Sequence, residues 1–161
     1  RELDRVRELK VVSPLVDDLA AELKVANGDV SGAQQSYREA MRRFPRSKAL
    51  VCDYVESLLA SKAYDMALVL LESQLQISLT DDRLFALQAK TYAAMGKRLL
   101  QFRSQAEAYY LRGELTAAVQ QLQYAQKETD GNFYDQSVVD ARLRELRQLQ
   151  DEEDRMRRNG G

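Results

Sequence analysis

Apolar side chains recur at intervals of three and four residues along most of the chain, which is the spacing of one face of an α-helix. The segment 48–60 illustrates this spacing with Val51, Tyr54, Val55 and Leu58. The 161 residues contain only 7 glycines and 2 prolines, so few positions interrupt helical structure. The pattern predicts nine helices, at about 3–12, 14–26, 30–44, 47–61, 64–78, 82–95, 97–111, 115–128 and 133–157.

Three alanines divide this helical pattern into units of similar sequence. Ala33 and Ala67 are 34 residues apart, and Ala118 follows Ala67 by 51 residues, one and a half times that interval. The fifth position before each alanine is Gly28, Lys62 and Gly113, respectively. The fourth position after each alanine carries a large side chain: Tyr37, Leu71 and Leu122. Because similar residues recur at the same offsets, the chain contains an internal repeat.

An interval of 34 residues is typical of tetratricopeptide repeats, in which each unit consists of two antiparallel helices. We therefore predict an all-α tetratricopeptide-repeat solenoid of about nine antiparallel helices over residues 1–149, followed at 150–161 by a charged tail that frays. Small residues let helices approach closely, and large residues fill the adjacent space. The residues predicted to pack between helices are Ala33, Tyr37, Ala40, Ala67, Leu71, Ala118, Leu122 and Ala125. The alternative is an ordinary helical bundle in which the spacing is accidental.

Composition restricts the chemistry of the chain. The 24 Lys and Arg residues and 25 Asp and Glu residues give a formal net charge of −1, so we expect no nucleic acid and no anionic membrane surface as partner. The longest apolar run, 67–71, is far shorter than the roughly 20 residues of a membrane span. The sequence has no histidine, the commonest zinc ligand and general base. We therefore predict no catalytic residue, metal ligand or cofactor, and a structural role for the single thiol of Cys52.

The predicted function is the binding of proteins. Tetratricopeptide grooves are lined mainly by the first helix of each pair, at positions beside the core stripe. The candidate protein-binding residues at such positions are Asp53, Glu56, Lys90, Arg103, Glu107 and Tyr110. A groove of mixed charge that contains a tyrosine suits an extended segment or a helix of a partner protein. The alternative is that these side chains form a solvated inner face without a partner.

The C-terminal half carries a more specific resemblance. The segment "AEAYYLRGELTAAVQQLQYAQK", at 106–127, and the segment "GNFYDQSVVDARLREL", at 131–146, resemble the end of the repeat region of the barrel-assembly-enhancing (BepA-like) periplasmic zinc metalloproteases. Upstream, "RRFPRSKALVCDYVESLLASKAYDMALVLLESQL" is also similar to that family. The similarity extends over roughly residues 14–149.

The resemblance implies a wider protein and a cellular role. Members of this family have a catalytic domain with an HExxH zinc helix before the repeats, so this chain, which begins at Arg1 and lacks histidine, is expected to be the repeat domain without its protease. The zinc would then lie in the protease domain. The implied partners are components of the β-barrel assembly machinery, outer-membrane protein substrates and the protease domain itself, in the periplasm. The alternative is a stand-alone tetratricopeptide adaptor for pilus or secretion-system assembly.

Overall fold

The structure, a computed structural model, describes residues 13–159 and has eight α-helices and no strand within them. The helices are α1 (Pro14–Ala26), α2 (Val30–Arg43), α3 (Lys48–Ala60), α4 (Tyr64–Ile77), α5 (Asp82–Ala94), α6 (Arg98–Leu111), α7 (Leu115–Lys127) and α8 (Phe133–Asn159). Every bound lies within two residues of its prediction. The predicted helix at 3–12 lies outside the described residues. The predicted fold class, all-α and of tetratricopeptide-repeat type, is confirmed.

Contacts between Cα atoms divide the chain into two compact units, with the boundary between Ala67 and Leu68, inside α4. In the first unit, α1 packs on α2, and α3 contacts both. Its core includes Tyr37 of α2, whose ring stacks on Tyr54 of α3 with 5.2 Å between centroids. In the second unit, α6 packs against α5 and α7, and α8 packs against α7 and α6.

The eight residues predicted to pack between helices are all buried. Each of them is at most 1% exposed: Ala33, Tyr37, Ala40, Ala67, Leu71, Ala118, Leu122 and Ala125. In the second unit, Ala118 and Leu122 of α7 belong to one apolar cluster with Leu99 of α6 and Leu143 of α8. The position of α8 is therefore fixed by apolar burial as well as by the polar contacts described below.

The charged segment from residue 150 differs from the expectation that it frays. Helix α8 continues through Asn159, although the side chains at 151–158 are exposed. Arg157 forms ion pairs with Glu153 at 3.5 Å and with Asp154 at 3.9 Å, one helical turn away. Such pairs stabilise an exposed helix by about 0.2–0.5 kcal/mol each, which accounts for helix beyond the last buried residue, Leu146.

The turn before each repeat alanine contains a residue with left-handed backbone. Gly28 and Gly113 have φ of 77° and 80°, and Lys62, which occupies the same repeat position, has φ of 59°. A side chain is disfavoured in this conformation by about 1–2 kcal/mol, whereas glycine adopts it freely. Lys62 is therefore a strained residue at a position suited to glycine.

We expect replacement of Lys62 by glycine to raise the free energy of unfolding by about 0.5–1 kcal/mol, because relief of strain exceeds the greater unfolded-state freedom of glycine. Urea denaturation followed by circular dichroism measures the change. The reciprocal variant, Gly113→Ala, should lose about 1 kcal/mol, and a Cβ atom there meets no atom within 4 Å, so the loss would come from φ alone. A loss of stability in both variants would contradict this interpretation.

Candidate functional site

The six candidate binding residues lie on three helices. In the first unit, α3 carries Asp53, which is half-buried, and Glu56, which is exposed. In the second unit, Lys90 is exposed on α5. The structure brings three of the six together on α6, where they are all half-buried: Arg103, Glu107 and Tyr110. The side chains that cover these three come from α8.

The strongest of these contacts joins Glu107 to Arg142 of α8. Arg142 Nε donates to Glu107 Oε1 at 2.9 Å, and Arg142 Nη2 donates to Glu107 Oε2 at 2.7 Å. The two side chains are 21% and 22% exposed, so water screens them only partly. This two-point geometry matches the planar fork of a guanidinium to both oxygens of a carboxylate, which makes the pair directional as well as attractive.

Arg142 has two further partners. Its Nη1 lies 2.7 Å from Glu145 Oε2, one turn along α8. Its guanidinium carbon lies 4.5 Å from the ring centroid of Tyr110, within the range of a cation–π contact. Burial by itself lowers the pKa of Arg142, but the hydrogen bonds to Glu107 and Glu145 outweigh it and raise that pKa above its ordinary value. Arg142 is thus a permanent cation that connects α6 to α8.

A second ion pair joins the same two helices near the start of α8. Arg103 Nη1 lies 3.4 Å from Asp135 Oδ1, and the two side chains are 26% and 17% exposed. Asp135 also belongs to the cap of α8, because its backbone N–H donates to Asn132 Oδ1 at 2.9 Å. The cap therefore fixes the backbone of the residue that binds Arg103.

The turn between α7 and α8 is held against the beginning of α6. The Asp130 carboxylate accepts hydrogen bonds from the backbone N–H groups of Arg98 and Leu99, the latter at 3.0 Å. Arg98 Nε also lies 3.1 Å from Glu128 Oε1. The first N–H groups of a helix have no partner inside the helix, and a negative charge there is stabilising. Asp130 therefore caps α6 from a distant part of the sequence.

We expected Arg103, Glu107 and Tyr110 to line an open groove, and the structure corrects that expectation of exposure. Sequence reasoning did not identify Asp135 and Arg142, although the repeat contains a clue to them. The ion pairs between helices of the second unit join residues 30–35 positions apart, close to the repeat interval of 34. Residues one interval apart become neighbours on adjacent helices, so opposite charges at that separation predict such pairs.

Two aromatic side chains missed by the sequence analysis are exposed beside this face. Phe133 and Tyr134, the first two residues of α8, are 88% and 72% exposed. The cap of α8 at Asn132 and Asp135 orders the backbone that carries them. Exposed aromatic rings on an ordered backbone are frequent anchors of protein interfaces. The "GNFY" sequence at 131–134 was the available signal, which we had assigned only to the resemblance.

The arrangement offers contact surface but no reactive centre. Within residues 13–159, no group of three or more Cys, Asp and Glu side chains is placed to hold a metal ion. None of the helices in that range is both long enough and apolar enough to cross a bilayer. The chemistry of the α6–α8 face, defined by Arg103, Glu107, Tyr110, Asp135 and Arg142, is that of paired charges and aromatic rings.

Comparison with known proteins identifies the repeat type. Residues 24–91 match the model of the protein family described as Tetratricopeptide repeat. No curated protein matches the sequence. The matched segment includes α2, α3 and α4, which carry the first two repeat alanines, Ala33 and Ala67. The antiparallel hairpins, the buried alanines and this match together show that the chain contains a tetratricopeptide-repeat domain.

Proposed function

We propose that the chain is the docking module of a periplasmic zinc metalloprotease and chaperone that acts in the assembly and quality control of outer-membrane β-barrel proteins. The coarser function, a module for protein–protein interaction, follows from its tetratricopeptide-repeat type. In this proposal the chain is not itself an enzyme and holds no cofactor, and the zinc belongs to a separate protease domain. The proposed partners are that domain, components of the β-barrel assembly machinery and outer-membrane protein substrates.

One observation supports the link to that family: the segment 131–146, on which the resemblance rests, also builds the α6–α8 face. Its Asp135 and Arg142 bind side chains of α6. Its apolar residues Val139, Leu143 and Leu146 are at most 1% exposed. A segment whose residues order one surface so completely is better suited to rigid recognition than a solvated tail, because less side-chain freedom is lost on binding.

The proposed binding surface of the second unit combines the α6–α8 face with the exposed groups beside it. Arg103, Glu107 and Tyr110 contribute their exposed fractions, and Tyr134 contributes most of its ring. In the first unit, Asp53 and Glu56 remain proposed contact residues. Because Arg103 and Glu107 are paired within the chain, we assign the anchoring role to the aromatic residues and a steering role to the exposed charges.

We expect Tyr134→Ala to weaken binding to an unfolded outer-membrane barrel protein, or to a purified component of the assembly machinery, by about fivefold or more. An exposed residue of this kind costs about 0.5 kcal/mol or less in stability, so the helix signal should remain. Lys90→Glu should act mainly on the association rate and its salt dependence. Isothermal titration and stopped-flow fluorescence, with circular dichroism for each variant, measure these effects.

Tyr124→Ala is the matched control, because Tyr124 is also an exposed tyrosine, at 40%, but lies on α7. Binding by this variant should equal that of the unmodified chain. Unchanged binding by the double variant of Tyr134 and Lys90, with helicity retained, would contradict the proposed surface. The protease link has a separate test in the complete gene: if no HExxH motif is encoded before Arg1, the link fails and the stand-alone adaptor is favoured.

A further inference from the structure

Three carboxyl groups meet around a buried phenol in the first unit. Asp18 and Glu22 lie on α1 and Asp53 lies on α3, and these three dominate the charge that acts on Tyr37 of α2. Tyr37 is only 1% exposed. Burial, followed by the three carboxylates, raises the pKa of its phenol, so Tyr37 remains neutral. The cluster is therefore a set of like charges at a place where three helices pack together.

Asp18 is the most constrained member of this cluster. A side-chain hydrogen bond joins it to Asp53, and its Oδ1 atom is buried with no hydrogen-bond partner among the described residues. The nearby cations of the first unit are engaged elsewhere. Lys24 Nζ donates to Ser36 Oγ at 2.8 Å, and Arg43 Nη2 lies 2.8 Å from Asp17 Oδ2. A hydrogen bond between two carboxyl groups requires one of them to carry a proton.

We propose that Asp18 and Asp53 form a proton-dependent contact between α1 and α3, in which a carboxylic acid–carboxylate hydrogen bond in mildly acidic solution becomes a repulsion between two carboxylates as the pH rises. The contact acts on α1, whose other attachment is its packing on α2. Proton loss therefore weakens the docking of α1 and makes this helix the part of the first unit that opens first. This property is independent of the binding function proposed above.

The direction of the pH effect follows from proton binding. Burial raises the pKa of Asp18, assisted by the Asp53 and Glu22 carboxylates and by the hydrogen bond to Asp53, from 3.8 to about 6. Between these two values the folded state binds more protons than the unfolded state. Stability is then greatest below about pH 4 for this group, falls as the pH rises towards 6, and remains lowered above it.

The test is native-state hydrogen exchange of the complete chain between pH 4.5 and 8, with intrinsic exchange rates divided out. We expect opening of α1 to increase by about tenfold over this range, a fraction of the full shift because Asp18 is partly solvated. Amides of α7 provide an internal reference without this dependence. Asp18→Asn should abolish the increase, because an amide donates a hydrogen bond to Asp53 at every pH.

Further variants keep the test decisive. Asp53→Asn should remove the pH dependence as well, which covers the case in which Asp18→Asn fails to fold. Glu22→Gln should shift the midpoint of Asp18, followed by carboxyl NMR, to lower pH. Asp17→Asn, at the neighbouring residue paired with Arg43, should leave the pH dependence of α1 unchanged. An Asp18 midpoint near 4, or parallel profiles for the unmodified chain and Asp18→Asn, would overturn the proposal.

Discussion

Replacement of Arg142 by alanine is expected to lower the free energy of unfolding of the second unit by about 2 kcal/mol. The variant removes both hydrogen bonds to Glu107, at 2.9 and 2.7 Å, and leaves that carboxylate half-buried without its cation. Loss of one partner from a fully buried pair costs about 3–5 kcal/mol, and the residual exposure of this pair reduces that cost. Urea denaturation followed by circular dichroism measures the loss.

A double-variant cycle separates the pair from its surroundings. Glu107→Ala should have a similar cost, and the double variant should lose less than the sum of the two, with a coupling of about 1 kcal/mol or more. Arg157→Ala is the control on the same helix: its ion pair with Glu153 is 76% and 54% exposed, so its removal should cost about 0.5 kcal/mol or less. Equal losses for Arg142→Ala and Arg157→Ala would show that the contact adds nothing to the docking of α8.

Replacement of Ala118 by leucine is the second change with a large expected effect, a loss of about 1–3 kcal/mol. Ala118 has no exposed surface and lies in the cluster formed by α6, α7 and α8. Three added carbon atoms would have to displace neighbours such as Leu99 and Leu143, because protein interiors contain few spaces of that size. Thermal and urea denaturation should both report the loss.

The control for Ala118 lies two residues away on the same helix. Gln120 is exposed on α7, so Gln120→Leu should change stability by about 0.5 kcal/mol or less. The two variants add a side chain of the same kind to opposite environments. If their losses are equal, the assignment of Ala118 to a close helix crossing is wrong, and with it the alignment of Ala33, Ala67 and Ala118 on which the repeat was based.

The helices could be predicted from sequence because their causes are local. The apolar spacing within 48–60 requires no knowledge of the other helices, and Asn27 with Gly28 ends α1 through backbone conformation alone. Repetition then extended these local patterns to buried residues such as Tyr37 and Leu122. Periodic sequence and turn chemistry thus determine most of the fold class and much of the core.

The α6–α8 face could not be predicted in the same way, because its contacts depend on how one helix lies across another. Glu107 on its own resembles any charge beside a core stripe, and its partner Arg142 comes 35 residues later. The meeting of Asp18 with Asp53 likewise requires the packing of α1 and α3. Long side chains also shield what periodicity places at a surface, which is why Tyr110 is half-buried under a guanidinium.

The cap that Asp130 provides for α6 has a consequence for the order in which the chain matures during synthesis. Arg98 and Leu99 leave the ribosome well before Asp130, which follows them by 32 and 31 positions. Until then their N–H groups must be solvated by water, so the first turn of α6 remains uncapped while α7 is being made. The hairpin of α6 and α7 is therefore completed late, when the turn that follows it closes back on its beginning.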